Sequence, residues 1–153
     1  MSVSVTLKDW LRDKIDALSS VQEVYAYMPK RFTGYPAVAI LLPELTGEFS
    51  STSTNSRVYS YRINIFVPLG QDLPNTSGKV REHYAEDLVA EVIEDIIDAV
   101  ETDFDLTDVT QSENIVCKYA EASDMRPFEI VIDNGEHLGA EITISIYTEK
   151  TIT

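Results

Sequence analysis

Over residues 57–67 the chain alternates with a period of two. Tyr59, Tyr61, Ile63, Ile65 and Val67 fall on one side of an extended segment, while Ser60, Arg62 and Asn64 fall mostly on the other. Successive side chains of a strand point to opposite faces, so this segment needs one apolar covering layer and tolerates water on its other side. A lone strand of this kind is not stable. The rest of the chain must supply neighbouring strands and an amphipathic layer to cover them.

Two helical patterns provide the layer. Over 6–18, Leu7, Leu11, Ile15 and Leu18 recur at helical spacing, with Asp9, Arg12, Asp13 and Asp16 on the opposite side. Thr6 is the expected N-cap, and Asp9 three residues on is well placed at the positive end of the helix dipole. Trp10 borders the apolar stripe and is expected to pack in the core. The second helix, over 79–102, carries a broad arc of Tyr84, Ala85, Leu88, Val89, Val92, Ile96, Ala99 and Val100, wide enough to lie on a sheet.

Further strands are predicted over 21–28, 37–42, 114–120, 127–132 and 140–147. The segment 37–42 is apolar on both faces, as in a central strand, and is expected to form a hairpin-like pair with 57–67. Between them lies a Ser/Thr/Asn-rich stretch, 46–56, in which Phe49 is the only large apolar residue; it can bury little surface and reads as a mobile, protruding tip. Pro68, Gly70, Pro74, Asn75 and Gly78 mark a loop before the second helix, and an acidic linker, 103–108, follows it. Asp133-Asn134-Gly135 tolerates positive φ and joins the last two strands, with Ile142, Ile144 and Ile146 facing the core. At 153 residues and 44% apolar content the chain can bury a core of its own as one domain. The expected fold is α+β, a mostly antiparallel sheet of five or six strands packed against two helices.

Catalytic chemistry has little to draw on. The histidines are His83, on the second helix, and His137, in a turn; both read as surface residues. There is no Gly-x-Ser-x-Gly elbow, phosphate-cradling glycine loop, His-Glu-x-x-His pair or paired-cysteine pattern. Cys117 is the single cysteine and reads as a small buried residue. No catalytic, cofactor-binding or metal-binding residue is assigned, and an enzyme is not expected. A formal charge of −14 and a pI near 4.3 argue against nucleic acid as the main ligand. Lys30-Arg31 is the one locally basic pair and reads as a solvated turn. No stretch approaches the roughly 20 apolar residues that span a bilayer, and the start of the chain lacks the pattern of a signal peptide, so synthesis in the cytoplasm without a membrane partner is expected.

Much of the acidity has an address. Asp87, Glu91, Glu94 and Asp98 are spaced i, i+4, i+7, i+11, forming one exposed stripe opposite the apolar arc of the second helix. Like charges at this spacing cost roughly 0.2 to 0.5 kcal/mol per pair, and Asp98 and Glu101 oppose the helix dipole. The stripe does not stabilise its own helix. It reads as a solvated face, a surface that repels an anion such as DNA in a lumen, or a dock for a basic partner.

In its order of elements the chain resembles the tail terminator proteins of long-tailed bacteriophages. The resemblance is carried by the opening helix with Leu7 and Leu18, by Val21-Gln22-Glu23-Val24-Tyr25 leading to Tyr35-Pro36-Ala37-Val38-Ala39-Ile40, by the strand Tyr59-Ser60-Tyr61-Arg62-Ile63-Asn64-Ile65-Phe66-Val67, by the long helix through Ala85 and Val100, and by the closing strand over 140–147. It spans nearly the whole chain as a pattern. What it implies is a virion protein assembled in the host cytoplasm: a homohexameric ring on the head-proximal end of the tail tube that stops tube elongation, contacts the tube protein and the head–tail connector protein, and lets DNA pass without binding it specifically. By position, Glu48, Phe49, Ser50, Ser51, Thr52, Ser53, Thr54, Asn55, Ser56 and Arg57 would form an inter-subunit arm, and Asp87, Glu91, Glu94 and Asp98 a channel wall or docking face. The alternatives are another phage head–tail connector or tail-completion protein, and, in a different class, an acidic secretion-type chaperone. Such chaperones usually close with a helix, whereas this chain closes with the strand over 140–147.

Overall fold

The computed structural model describes residues 3–30, 34–49, 54–68, 81–102, 115–132 and 135–151. In chain order these form α1 (Val3–Asp16), β1 (Glu23–Tyr25), β2 (Ala37–Ile40), β3 (Glu44–Phe49), β4 (Thr54–Pro68), α2 (Arg81–Thr102), β5 (Ile115–Ile132) and β6 (Gly135–Thr151). The fold is α+β: two helices cover a mixed, mostly antiparallel sheet, six-stranded among the described residues. Its main path runs β1-β2-β4-β6-β5; only the β1–β2 pair is parallel. β2 and β3 share one side of β4 in succession, Ala37–Ile40 against Ile63–Phe66 and then Glu44–Phe49 against Asn55–Ser60. No helix among the described residues is long and apolar enough to cross a membrane.

The period-two pattern of β4 defines the core. Tyr59, Tyr61, Ile63, Ile65 and Val67 are buried with Ile142, Ile144 and Ile146 of β6 beneath Leu7, Leu11 and Ile15 of α1 and Ala85, Val89, Val92, Ile93, Ile96 and Val100 of α2. α2 lies across β4, β5 and β6, and α1 packs beside it and beside β1. Trp10 packs against this cluster, as expected. The Tyr61 hydroxyl donates to the Ser4 carbonyl at 2.6 Å, tying the start of α1 to the centre of the sheet. Tyr61→Phe keeps the ring and removes that bond; a loss of about 0.5–1.5 kcal/mol is expected from urea denaturation.

Several boundaries differ from the sequence reading, each for a tertiary reason. α1 begins at Val3, so Thr6 lies inside its first turns and is not the N-cap; Val3 packs on the core and the Tyr61 bond holds Ser4. The segment 46–56 is largely strand: 44–49 forms β3 and 54–56 opens β4, because cross-strand pairing satisfies a polar backbone that buries little side chain. The strands expected over 114–120 and 127–132 are one, β5, whose register shifts between Cys117 and Tyr119 and between Ser123 and Arg126. The expected turn at Asp133-Asn134 and the linker 103–108 lie outside the described residues, although Ile132 and Gly135 pair across the former.

The face of the sheet opposite the helices is not uniformly polar. At the β2 end, Ala37, Ala39 and Phe66 have no exposed surface and Asn64 is nearly buried. Phe66 sits between the small partners Ala37 and Gly139, which leave room for its ring. His137, expected on the surface in a turn, is on β6, only 4% exposed, with Nε2 2.7 Å from the Tyr35 hydroxyl and the two rings 5.2 Å apart. A hydrogen-bond partner and the adjacent Tyr35 ring, tilted by 40°, explain why burial is tolerated there.

Candidate functional site

Three surfaces stand out, and each follows from how the strands are ordered. The first is the lateral edge at β3. Among the described residues β3 pairs with β4 alone, so one side of its backbone faces no strand. Leu42, 80% exposed, and Leu45, 56% exposed, lie along this edge. Of the expected arm, Glu48 and Phe49 close β3, paired with Ser56 and Asn55; Thr54, Asn55, Ser56 and Arg57 open β4 and pair onward with β6 over 148–151; Ser50, Ser51, Thr52 and Ser53 lie outside the described residues. The described part of the arm is thus built into the sheet rather than hanging from it. The Thr148 hydroxyl donates to the Arg57 carbonyl at 3.1 Å, a further tie.

The second surface is the acidic stripe. Asp87, Glu91, Glu94 and Asp98 are all exposed on α2, on the side away from the sheet. Asp95, between them in sequence, is half-buried instead and accepts from the Ser20 hydroxyl at 2.6 Å, so it belongs to the anchoring of the α1–β1 connection. The i, i+4 and i, i+3 repulsions of the stripe are unaffected by this contact. Replacing Asp87 and Asp98 with Asn and Glu91 and Glu94 with Gln is expected to leave the fold intact and to move Tm by less than about 4 °C. A collapse of the far-ultraviolet helix signal would instead give the stripe a role in folding.

The third is a cavity of about 260 Å³ on the sheet face opposite the helices, lined by Glu44 of β3, Ser60 and Arg62 of β4, Glu141 and Thr143 of β6 and Arg126 of β5. The Ser60 and Ser145 hydroxyls hydrogen-bond across β4 and β6 at 3.0 Å beside it. Sequence reading placed Arg62 on the polar side of its strand but could not find this constellation, because Arg126 arrives there only through the register shift in β5. Among the described residues, no three His, Cys, Asp or Glu side chains converge as metal ligands. Compared with known proteins, the chain matches no family model and no curated sequence.

Proposed function

We propose that this chain is a structural virion subunit that resembles a phage tail terminator: it assembles with copies of itself into a ring, caps the head-proximal end of a tail tube, and offers a docking surface to the connector. The observation that carries this reading is the β3 edge, which no further described strand pairs, flanked by exposed Leu42 and Leu45 on a sheet whose other edge strands, the three-residue β1 and the irregular β5, are of a different kind. Two unlike edges on one subunit suit a heterologous contact, which closes into a ring when the rotation between copies allows it. Strand addition to an open edge supplies backbone hydrogen bonds, so such a contact needs no catalytic or ligand-binding motif.

The acidic stripe fits the same reading. In a ring, carboxylates on the outward face of α2 give a wall or rim on which DNA does not adhere, since phosphate binding relies on clustered Lys and Arg. The expected assembly is homohexameric, as the resemblance implies. Native mass spectrometry and negative-stain imaging of the purified chain, alone and with tail tubes, test it. Rings of six seated on tube ends support the proposal; a stable monomer that leaves tube ends bare, or a dimer holding a secreted client, would sink it.

A further inference from the structure

The four charged residues around the open-face cavity come from four adjacent strands in the order β3, β4, β6, β5: Glu44, Arg62, Glu141, Arg126. Their signs alternate across the sheet, negative, positive, negative, positive. Register fixes the row's direction: Glu44 lies opposite Ser60, Arg62 is two residues further along β4, and Glu141, opposite Asn64, is two further again and pairs with Arg126. Arg62 and Arg126 are exposed, as is Glu44, and Glu141 is half-buried, so the row is available to a partner.

An alternating row with an even number of members has a specific symmetry. Turned end for end and laid face down on itself, it places every negative group on a positive one. We infer that the open sheet face is a self-complementary contact through which two copies of this chain pair face to face, Glu44 meeting the second copy's counterpart of Arg126 and Arg62 that of Glu141. The two-fold axis lies between the faces and perpendicular to the row; an axis along the row would set like charge on like charge. With strands about 4.8 Å apart and about 3.4 Å per residue, the row is inclined near 45° to the strands. The strands of the two copies therefore cross at about 90°, one of the two arrangements in which sheets pack face to face. The contact is isologous and uses a face, whereas the proposed ring contact is heterologous and uses an edge, so the two are independent; in a ring, the same row would pair one ring with another.

Exposed ion pairs are individually weak and screened by salt, so the pairing is weak and ionic-strength dependent. Sedimentation velocity of the full chain is expected to show association near 0.15 M salt, where a Debye length of about 8 Å damps the long-range repulsion between two chains of formal charge −14, and association that falls by about tenfold or more near 1 M, where that length is about 3 Å. Two variants decide the geometry. Arg62→Glu with Arg126→Glu makes the row wholly acidic, and Glu44→Arg with Glu141→Arg makes it wholly basic. Neither is expected to pair with itself, and an equimolar mixture, both folded by circular dichroism, is expected to pair near 0.15 M salt. A mixture that stays unpaired overturns the inference. So does self-association of the basic variant alone, which would assign the contact to the acidic face of α2 present on every copy. Should a variant fail to fold, a wild-type chain whose association is the same at both salt concentrations overturns it equally.

Discussion

Phe66→Ala is expected to destabilise the chain by about 3–5 kcal/mol, a large part of the 5–15 kcal/mol that holds an ordinary domain together. The size of the effect follows from where the ring sits. Phe66 belongs to the even-numbered side of β4, with Ser60, Arg62 and Asn64, which strict alternation would leave to solvent. It is nevertheless fully buried, beside Ala37 and Gly139, with buried Ala39 one strand over and His137 on the same face. Truncation there removes the transfer free energy of an aromatic side chain and leaves a cavity that alanine and glycine neighbours cannot fill. Arg62→Ala, four residues earlier on the same face but exposed, is the matched control and is expected to be near neutral. Urea denaturation of both variants checks the pair. A Phe66→Ala loss below about 1 kcal/mol would mean that the face is open at the β2 end and that alternation alone describes β4.

That contrast shows what could be read in the residues and what could not. The helix-facing side was legible because it is written in local periodicity: Leu7, Leu11 and Ile15 at helical spacing, Tyr59 to Val67 at period two, and Ile142, Ile144 and Ile146 likewise all enter one core. The second buried patch was not, since Phe66 and His137 owe their burial to residues distant in sequence, such as Tyr35, 102 positions from His137. β3 was hidden for a different reason. Glu44-Leu45-Thr46-Gly47-Glu48-Phe49 has weak strand propensity, and its conformation depends on the ladder that β4 offers it. The strands expected over 114–120 and 127–132 are one, β5, and Pro127, which a strand interior would reject, is accepted there by an edge strand just after a register shift. Of the candidate surfaces, the acidic stripe was legible from spacing alone. The charge row was not, because it exists only once four strands are in register.

The β3 edge yields the prediction with the largest effect on assembly, and backbone geometry selects the residues. The Leu41 amide donates to the Arg62 carbonyl at 3.0 Å, so the backbone groups of Arg62 point toward the β2–β3 side of β4. Strand periodicity turns those of Ser60 and Val58 the same way, toward Glu44 and Thr46. Leu45 and Gly47, one residue out of phase, direct their amides and carbonyls away from β4, to the side on which no described strand lies. Gly47→Pro deletes one outward amide without removing a bond to β4, and a Cβ at this position meets nothing within 4 Å. Leu45→Lys sets a charge on the same edge, the device by which natural sheets refuse strand addition. The opposite edge already carries such devices in its two register shifts and Pro127, and the β1 edge is only three residues long, which makes β3 the edge most open to strand addition. Each variant is expected to keep its circular dichroism and its Tm to within about 4 °C while formation of the proposed ring falls by about tenfold or more, read by native mass spectrometry. If Gly47→Pro disturbs β3 itself, Leu45→Lys, which leaves every backbone group in place, decides the matter: rings at wild-type yield from that variant would show that copies do not meet along this edge.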